Sequence, residues 1–453
     1  MAEASKAPWN RAYVFGMSPQ GEPILAGEIK IGRAGGRFSY KDNWLSHPDS
    51  YPLDPVNLPL RSGSFECKHN QGVFPVFSDA APDAWGTRIM LLNRRSQPKN
   101  EIERLLLTSG RGVGALQFSL SQSRPKQMTP SQDIALLERL YSVAESIDRS
   151  QELDEEQLRL MQPGSSMGGA RPKTAIHDGP VEYLAKFSKD ADLVDVPRVE
   201  YATMRMLAVT GLEVPPVRLE PVGLGRSAYL IERFDLHEAK TTQHYVSAHA
   251  MFNVSTYRQM PDGHRDKAGY IALSHHLRSH SDQFTEDSEQ LFLRALTNIA
   301  LGNTDDHARN FGMCYDLANK RWSLAPVFDV LPIVSATAHE QAMSLGVHGR
   351  ESSWDNLFSC IDAFGISEAR AVALAQDHLS VLENWEAYYR DAEVSENDIT
   401  LLRSVIEPRM NAVMDQVSVG GREYQPSGLN DLVLDDIGSG DNQKQDRGPK
   451  RSR

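Results

Sequence analysis

Cysteine is scarce: the 453 residues hold three, at 67, 314 and 360, with no close pair. That leaves no disulfide framework and no cysteine-based metal site, and it makes a reducing cytoplasm the expected setting. No apolar run approaches the about 18 residues of a membrane span, so no membrane partner is expected. The first residues, Met1-Ala-Glu-Ala-Ser-Lys-Ala-Pro-Trp9, lack the apolar core of a signal peptide. Positive charge is also short, with 48 Lys and Arg against 60 Asp and Glu and a net charge of −12. Bulk electrostatics therefore does not draw this chain to nucleic acid, and any DNA contact needs a local patch or a basic partner. No repeat with a period of tens of residues is visible, which excludes solenoids and propellers.

What remains is an ordinary globular composition, 40% apolar and 24% charged, in a chain long enough for two or three domains. Residues 1–125 read as β-rich, with strand-like Ala12–Phe15, Ile24–Ile31 and Ala115–Ser119. A helix starts near Pro82-Asp-Ala-Trp-Gly86 and runs through Arg88–Leu92. Helix-prone stretches at 134–140 and 151–161 follow. The reading divides the chain into 1–125, a nucleotide-binding part at 126–235, a helical catalytic lobe at 236–430 and a disordered tail at 431–453. The tail is rich in Gly, Asp and Gln and ends Gly-Pro-Lys-Arg-Ser-Arg453. It cannot bury a core, and reads as solvated or as contacting an anionic partner.

Four features carry chemistry, in a sensible order. The first is Gly164-Ser-Ser-Met-Gly-Gly-Ala-Arg-Pro-Lys173, a small-residue loop leading into two strand-like runs, Thr174–Ile176 and Val181–Phe187. The Asp-Gly between these runs signals a hairpin. Glycines let backbone N–H groups approach phosphate oxygens, although an ordinary flexible loop fits the same letters. It is not a Walker A loop, because Ala170 stands where the lysine must be. The second is Lys186, which shares one strand face with Leu184. It either points into a cleft, where it can hold α- and β-phosphates, or faces solvent from an edge strand.

The third feature is a helix with Pro197 in its first turn and Gly211 at its C′ position. Glu200 is placed in that first turn, either to pair with Lys186 or to complement the helix dipole. The fourth is the sharpest. A helix-like Gln290–Leu301 ends at Gly302, and then comes Asn303-Thr-Asp305-Asp306-His307-Ala308-Arg309-Asn310. Asp305 and Asn310 have the spacing of a kinase catalytic loop, in which the acid accepts a hydroxyl proton and the amide binds Mg²⁺. A strand at 322–325 precedes Asp329, the second metal ligand, since Mg²⁺ takes hard oxygen donors. Any one of these occurs by chance, but the order of all four points to phosphoryl transfer. Seven histidines lie between His237 and His280, fit no zinc template, and read as surface or substrate-side residues.

These residues resemble the HipA family of serine/threonine kinases, the toxins of bacterial type II toxin–antitoxin modules. The likeness extends to Gly35-Gly-Arg-Phe-Ser-Tyr40 with Trp44-Leu45, to Val73-Phe-Pro-Val-Phe-Ser-Asp-Ala-Ala-Pro-Asp83, and to Gly112-Val-Gly-Ala115. It implies an α+β, two-lobed protein-kinase-like fold with an extra β-rich N-terminal subdomain and a mostly helical C-terminal lobe. The resemblance also implies ATP contacts at Gly168, Gly169, Ala170, Arg171, Pro172, Lys173 and Lys186. It adds a hinge at Glu232, Arg233 and Phe234, and contacts at His307, Asn310, Phe328 and Asp329. Asp305 is the expected catalytic residue, Asn310 and Asp329 the metal ligands, Glu200 the partner of Lys186, and Ser166, or its neighbour Ser165, the autophosphorylated serine.

ATP and Mg²⁺ are the implied cofactors. A small helix-turn-helix antitoxin, through which DNA is reached, is the implied partner, and the implied substrate is a protein, for some members an aminoacyl-tRNA synthetase. Two departures stand out. Asp306 occupies a position where better-known members carry glycine, and beside Asp305 it is expected either to raise the pKa of one of the pair or to face solvent. The 236–285 segment does not align, and protein-substrate contacts are expected there. The competing readings are a catalytically silent kinase-like regulator that docks an antitoxin, and a small-molecule phosphotransferase of the antibiotic-kinase type.

Overall fold

The computed structural model describes residues 8–68, 70–92, 97–161, 169–253, 268–334 and 339–418. Ser165, Ser166, Gly168 and the tail from 431 lie outside the described residues.

The N-terminal unit is an antiparallel sheet of Arg11–Met17 (β1), Pro23–Gly32 (β2), Gly35–Tyr40 (β3), Phe65–Cys67 (β4) and Leu116–Ser119 (β5), in the order β4-β3-β2-β1-β5. Short helices Asp42–Leu45 (α1), Pro75–Asp79 (α2) and, beyond Ala84–Leu92 (α3), Glu101–Leu106 (α4) pack around it, while α3 packs into the core of the second unit. Pro75 opens α2, where its fixed φ suits a helix start and its missing N–H costs nothing. Ala80–Asp83 then turns the chain into α3.

The second unit contains Gln132–Asp133 (β6), Leu137–Asp148 (α5), Glu155–Leu160 (α6), Lys173–Asp178 (β7), Val181–Lys186 (β8), Val196–Ala208 (α7), Val217–Pro221 (β9) and Ser227–Glu232 (β10). Its sheet runs β6-β7-β8-β10-β9. The expected hairpin forms between β7 and β8, with Gly179 at φ +57 in the turn. Alternation along β8 divides two cores. Leu184 joins the main core with Val199 and Leu207 of α7, while Ala185 and Phe187 join a second core with Leu140 and Ile147 of α5 and Trp85 and Ile89 of α3. Lys186 follows Leu184 and so faces α7. The edge-strand alternative fails, because β8 is flanked by β7 and β10 and Lys186 is buried.

The third unit begins with Leu236–His237 (β11), Lys240–Thr241 (β12), Gln243–Ser247 (β13), Ala248–Phe252 (α8), Tyr270–His280 (α9) and Phe284–Leu301 (α10). Gly312–Asp316 (β14) and Arg321–Leu324 (β15) complete a sheet with β13. Trp354–Phe358 (α11), Glu368–Leu382 (α12), Trp385–Asp391 (α13) and Glu396–Ser418 (α14) finish the helical lobe. The chain is thus a two-lobed α+β kinase-like fold carrying a β-rich N-terminal unit. Among the described residues, no helix is long and apolar enough to cross a membrane.

Several local expectations need correction. Glu200 lies beyond the first turn of α7, whose N-cap is Asp195, so dipole complementarity does not explain it. Gly211 falls two residues past the C-cap Val209 rather than at C′. The described parts of the 236–285 stretch form short strands and helices, and 254–267 lie outside the described residues. Nor do its histidines line the surface as a group. His244 and His276 are buried, His249, His275 and His280 half-buried, and His237 alone is exposed among those described; His264 lies outside. His244, His249 and His276 sit on β13, α8 and α9 where burial holds the imidazole neutral.

Candidate active site

Lys186 is the centre. Its Nζ donates to Glu200 Oε1 at 2.6 Å and to Asp329 Oδ1 at 2.6 Å. Glu200 reaches it because it is a buried position of α7, which packs across β9 and β10, and β10 is the ladder neighbour of β8. Burial alone would lower the Lys186 ammonium, but the two carboxylates outweigh it and hold the charge on. Burial alone would raise Asp329, and Lys186 outweighs that too, keeping its carboxyl at about 2. Glu200 is pushed up by burial. Asp329 adopts φ +62, a left-handed conformation that costs an L-residue free energy unless its surroundings impose it. In this conformation its carboxylate meets the Lys186 ammonium.

The expected catalytic loop begins where α10 stops. Gly302 caps the helix at φ +70, and a Cβ there would sit 2.9 Å from Val405 Cγ1. Asp305 is exposed, and among the described residues no protein group donates to its carboxylate. Partial burial and the neighbouring Asp329 raise its pKa, against the pull of His307. Asn310 is buried, and its Nδ2 donates to the Asp305 carbonyl at 3.1 Å. This bond aims Asn310 Oδ1 the other way, where it has no hydrogen-bond partner. Asn310, Phe328 and Asp329 line one small cavity. A buried amide oxygen without a donor, beside an ionised carboxylate, is a hard-oxygen donor set that fits Mg²⁺. The described residues hold no cluster of three His, Cys, Asp or Glu able to bind a metal alone, so these two would share the ion with phosphates and water.

Asp306 does not face solvent. Its Oδ2 accepts from Tyr270 Oη at 2.6 Å and its Oδ1 from the Ala342 N–H at 2.5 Å. Burial pushes it up to about 7, although these bonds oppose the rise. Tyr270 Oη in turn accepts from Asn298, which accepts from Asn303, which accepts from the Asp305 N–H. This buried chain fixes the loop from beneath.

At the hinge, Glu232 N–H donates to the Pro216 carbonyl at 2.9 Å. Pro216 has no N–H to return, so the Glu232 carbonyl receives no rung from it. Phe234 follows, and its ring stacks on Phe328 with centroids 5.9 Å apart, tying hinge to metal motif. Arg233 turns away from the cleft to a buried pair with Asp235 and to the carbonyls of Arg111 and Gly112. Of the glycine-rich loop, Gly169 and Ala170 are exposed and Gly169 has φ +94. Arg171 is held by Asp192 through two bonds of 2.6 and 3.0 Å, which directs its guanidinium to a carboxylate. Pro172 accepts from the Phe187 N–H. Lys173 is buried, directly opposite Lys186 in the β7–β8 ladder, and paired with Asp83 at 2.8 Å.

Sequence reasoning missed what the N-terminal unit contributes here. Asp83 meets Lys173, Asp79 accepts from Ser247 N and Oγ and lies 3.9 Å from Arg309, and Arg111 pairs with Glu182 of β8. The one signal was the Asp79 to Asp83 motif itself, noted for likeness and not for contact.

Comparison with known proteins matches residues 22–119 to the HipA N-terminal domain and residues 165–385 to the HipA-like C-terminal domain. A protein of Sinorhizobium fredii named "Putative kinase Y4mE" is 24% identical over 324 residues, 66% of this chain and 72% of that one. A kinase-named protein of Haemophilus influenzae is 24% identical over 185 residues, 38% of this chain and 54% of its own. Among solved structures, HipA of Shewanella oneidensis, in complex with HipB and operator DNA, superposes with a TM-score of 0.65 at 16% identity. That match covers 90% of this chain and all of that one.

Proposed function

The chain belongs to the HipA family, and on that premise we propose that it is an ATP- and Mg²⁺-dependent serine/threonine protein kinase acting as the toxin of a toxin–antitoxin module. The observation that carries the reading is the convergence of Lys186, Glu200 and Asp329, with the open Oδ1 of Asn310 beside them.

In this mechanism Lys186 and the backbone amides of the 168–173 loop neutralise the phosphates. Glu200 fixes the direction of Lys186. Asn310 and Asp329 would hold Mg²⁺, which supplies charge neutralisation at the phosphate oxygens. The carbonyl of Glu232 and the N–H of Phe234 meet the adenine edge, with Arg233 anchoring the hinge between them, while Phe328 and His307 wall the nucleotide. Asp305 orients the acceptor hydroxyl. As its oxygen bonds to the γ-phosphorus, the bridging P–O bond breaks, ADP leaves with the electron pair, and Asp305 takes the proton. Asp305 suits this role because its carboxylate is exposed and unclaimed.

Ser166 is the autophosphorylation site in this reading. Roughly two added negative charges so near the phosphate cradle would expel ATP and switch the enzyme off. The protein substrate belongs to translation, an aminoacyl-tRNA synthetase by family likeness. A small DNA-binding antitoxin, HipB in the Shewanella complex, is the partner, and the setting is cytoplasmic.

The test is transfer of labelled phosphate from ATP by the intact chain, compared with Asp305→Gln. Label should fall on the order of 10³-fold while nucleotide binding persists. Undiminished labelling sinks the catalytic assignment. Sugars and aminoglycosides offered beside a cell lysate test the small-molecule alternative, and nucleotide binding without any transfer would favour the silent regulator.

A further inference from the structure

The sheet carries two buried lysine–carboxylate couples side by side. Lys186 and Lys173 are direct cross-strand neighbours on β8 and β7. The first takes its acid, Glu200, from α7. The second takes its acid, Asp83, from the N-terminal unit, 90 residues away in sequence. Both members of the second couple are almost fully buried, with side-chain exposures of 4% and 5%.

Asp83 is held in place by its second carboxylate oxygen. Its Oδ1 accepts from the Gly86 N–H at 2.8 Å, capping α3, while Oδ2 takes the Lys173 ammonium at 2.8 Å. Two residues on, the Trp85 indole N–H donates to the Lys173 carbonyl at 2.9 Å. Backbone and side chain of Lys173 are therefore both fixed by the start of α3. Lys173 ends the glycine-rich loop, and Gly169 packs against its Nζ, where an added Cβ would lie 3.3 Å away.

We propose that Asp83 is a positioning residue for nucleotide binding: the N-terminal unit supplies the counter-charge that aims Lys173 at the phosphates and fixes the root of the glycine-rich loop. This rests on the phosphotransfer reading above, and it goes beyond it by making the N-terminal unit a working part of the kinase site. Without Asp83 the Lys173 ammonium loses the buried counter-charge that sets its direction, and it leaves the phosphate position.

Helix caps supply a clean probe, because Asn and Ser cap as well as Asp but carry no charge. Asp83→Asn and Asp83→Ser in the full-length chain should keep the melting temperature within a few degrees of the parent. Affinity for Mg²⁺–ADP, read by titration calorimetry, should weaken about tenfold or more, the loss expected when a charge-assisted bond is removed. In the transfer assay, KM for ATP should rise by a similar factor while kcat at saturating ATP changes far less. A merely structural role would lower stability without this split. If either variant that keeps the parent's melting temperature also binds nucleotide with the parent's affinity, the inference is overturned. A parent chain that binds no nucleotide overturns the phosphotransfer reading as well, so the two failures are distinguishable.

Discussion

Lys186 stands between Glu200 and Asp329 in a site that water scarcely reaches. Its removal would leave two carboxylates facing each other, one of them fully buried, and an uncompensated buried charge costs more than the ion pair itself contributes. Lys186→Met should therefore destabilise the fold by about 3 kcal/mol or more, measured by urea unfolding at pH 7. The double variant Lys186→Met with Glu200→Leu should recover much of that loss, since it removes a stranded charge. Additive losses in the double variant would show that the two side chains do not interact. The pairing was legible in the sequence only as spacing, 14 residues from strand to helix. Burial of Glu200 decided it, and burial depends on α7 packing across β9 and β10. Asp306 shows the opposite limit. Nothing near it in sequence announces burial, because its partners Tyr270 and Ala342 each lie 36 residues away.

Elements were read best where a local signal ends them. The Asp-Gly turn placed the β7–β8 hairpin, and Gly302 placed the end of α10, because both positions require a backbone conformation that few residues tolerate. Starts were read less well: α10 begins at Phe284, ahead of the expected 290, since no side chain caps it. The Gly302 cap sets the direction in which the catalytic loop leaves. Gly302→Ala should cost about 1–2 kcal/mol, from the positive φ and from the contact with Val405 and Arg409. Thermal unfolding measures the cost, and an unchanged melting temperature would show that the helix end relaxes freely.

At the scale of the molecule, two sets of buried groups titrate against each other. Burial holds His244, His276 and His378 at about 4. Their contribution is present above the unfolded histidine pKa of about 6.5 and is lost as pH falls toward 4. Burial raises Asp54 and Asp79 to about 6 and Asp306 to about 7. Their contribution is complete below the unfolded value of about 4 and is lost as pH rises through 6 to 7. Between pH 7 and pH 5 the two sets act with opposite sign, acidification weakening the fold through the histidines and strengthening it through the carboxyls. Asp306→Asn removes one acid, so acidification over the same interval should then cost about 2 kcal/mol more than in the parent. A variant curve parallel to the parent's would show that Asp306 is ionised throughout. None of these six groups was identifiable as buried from sequence, because each owes its burial to elements far along the chain.

The corner between α2 and α3 has a mechanical consequence. Asp79 grips Ser247 in the helical lobe, and four positions later Asp83 grips Lys173 in the nucleotide sheet. One short, rigid turn is thereby riveted to both jaws of the cleft. A change in the width of the opening would strain one of these two contacts, which makes the corner a strut that neither jaw owns.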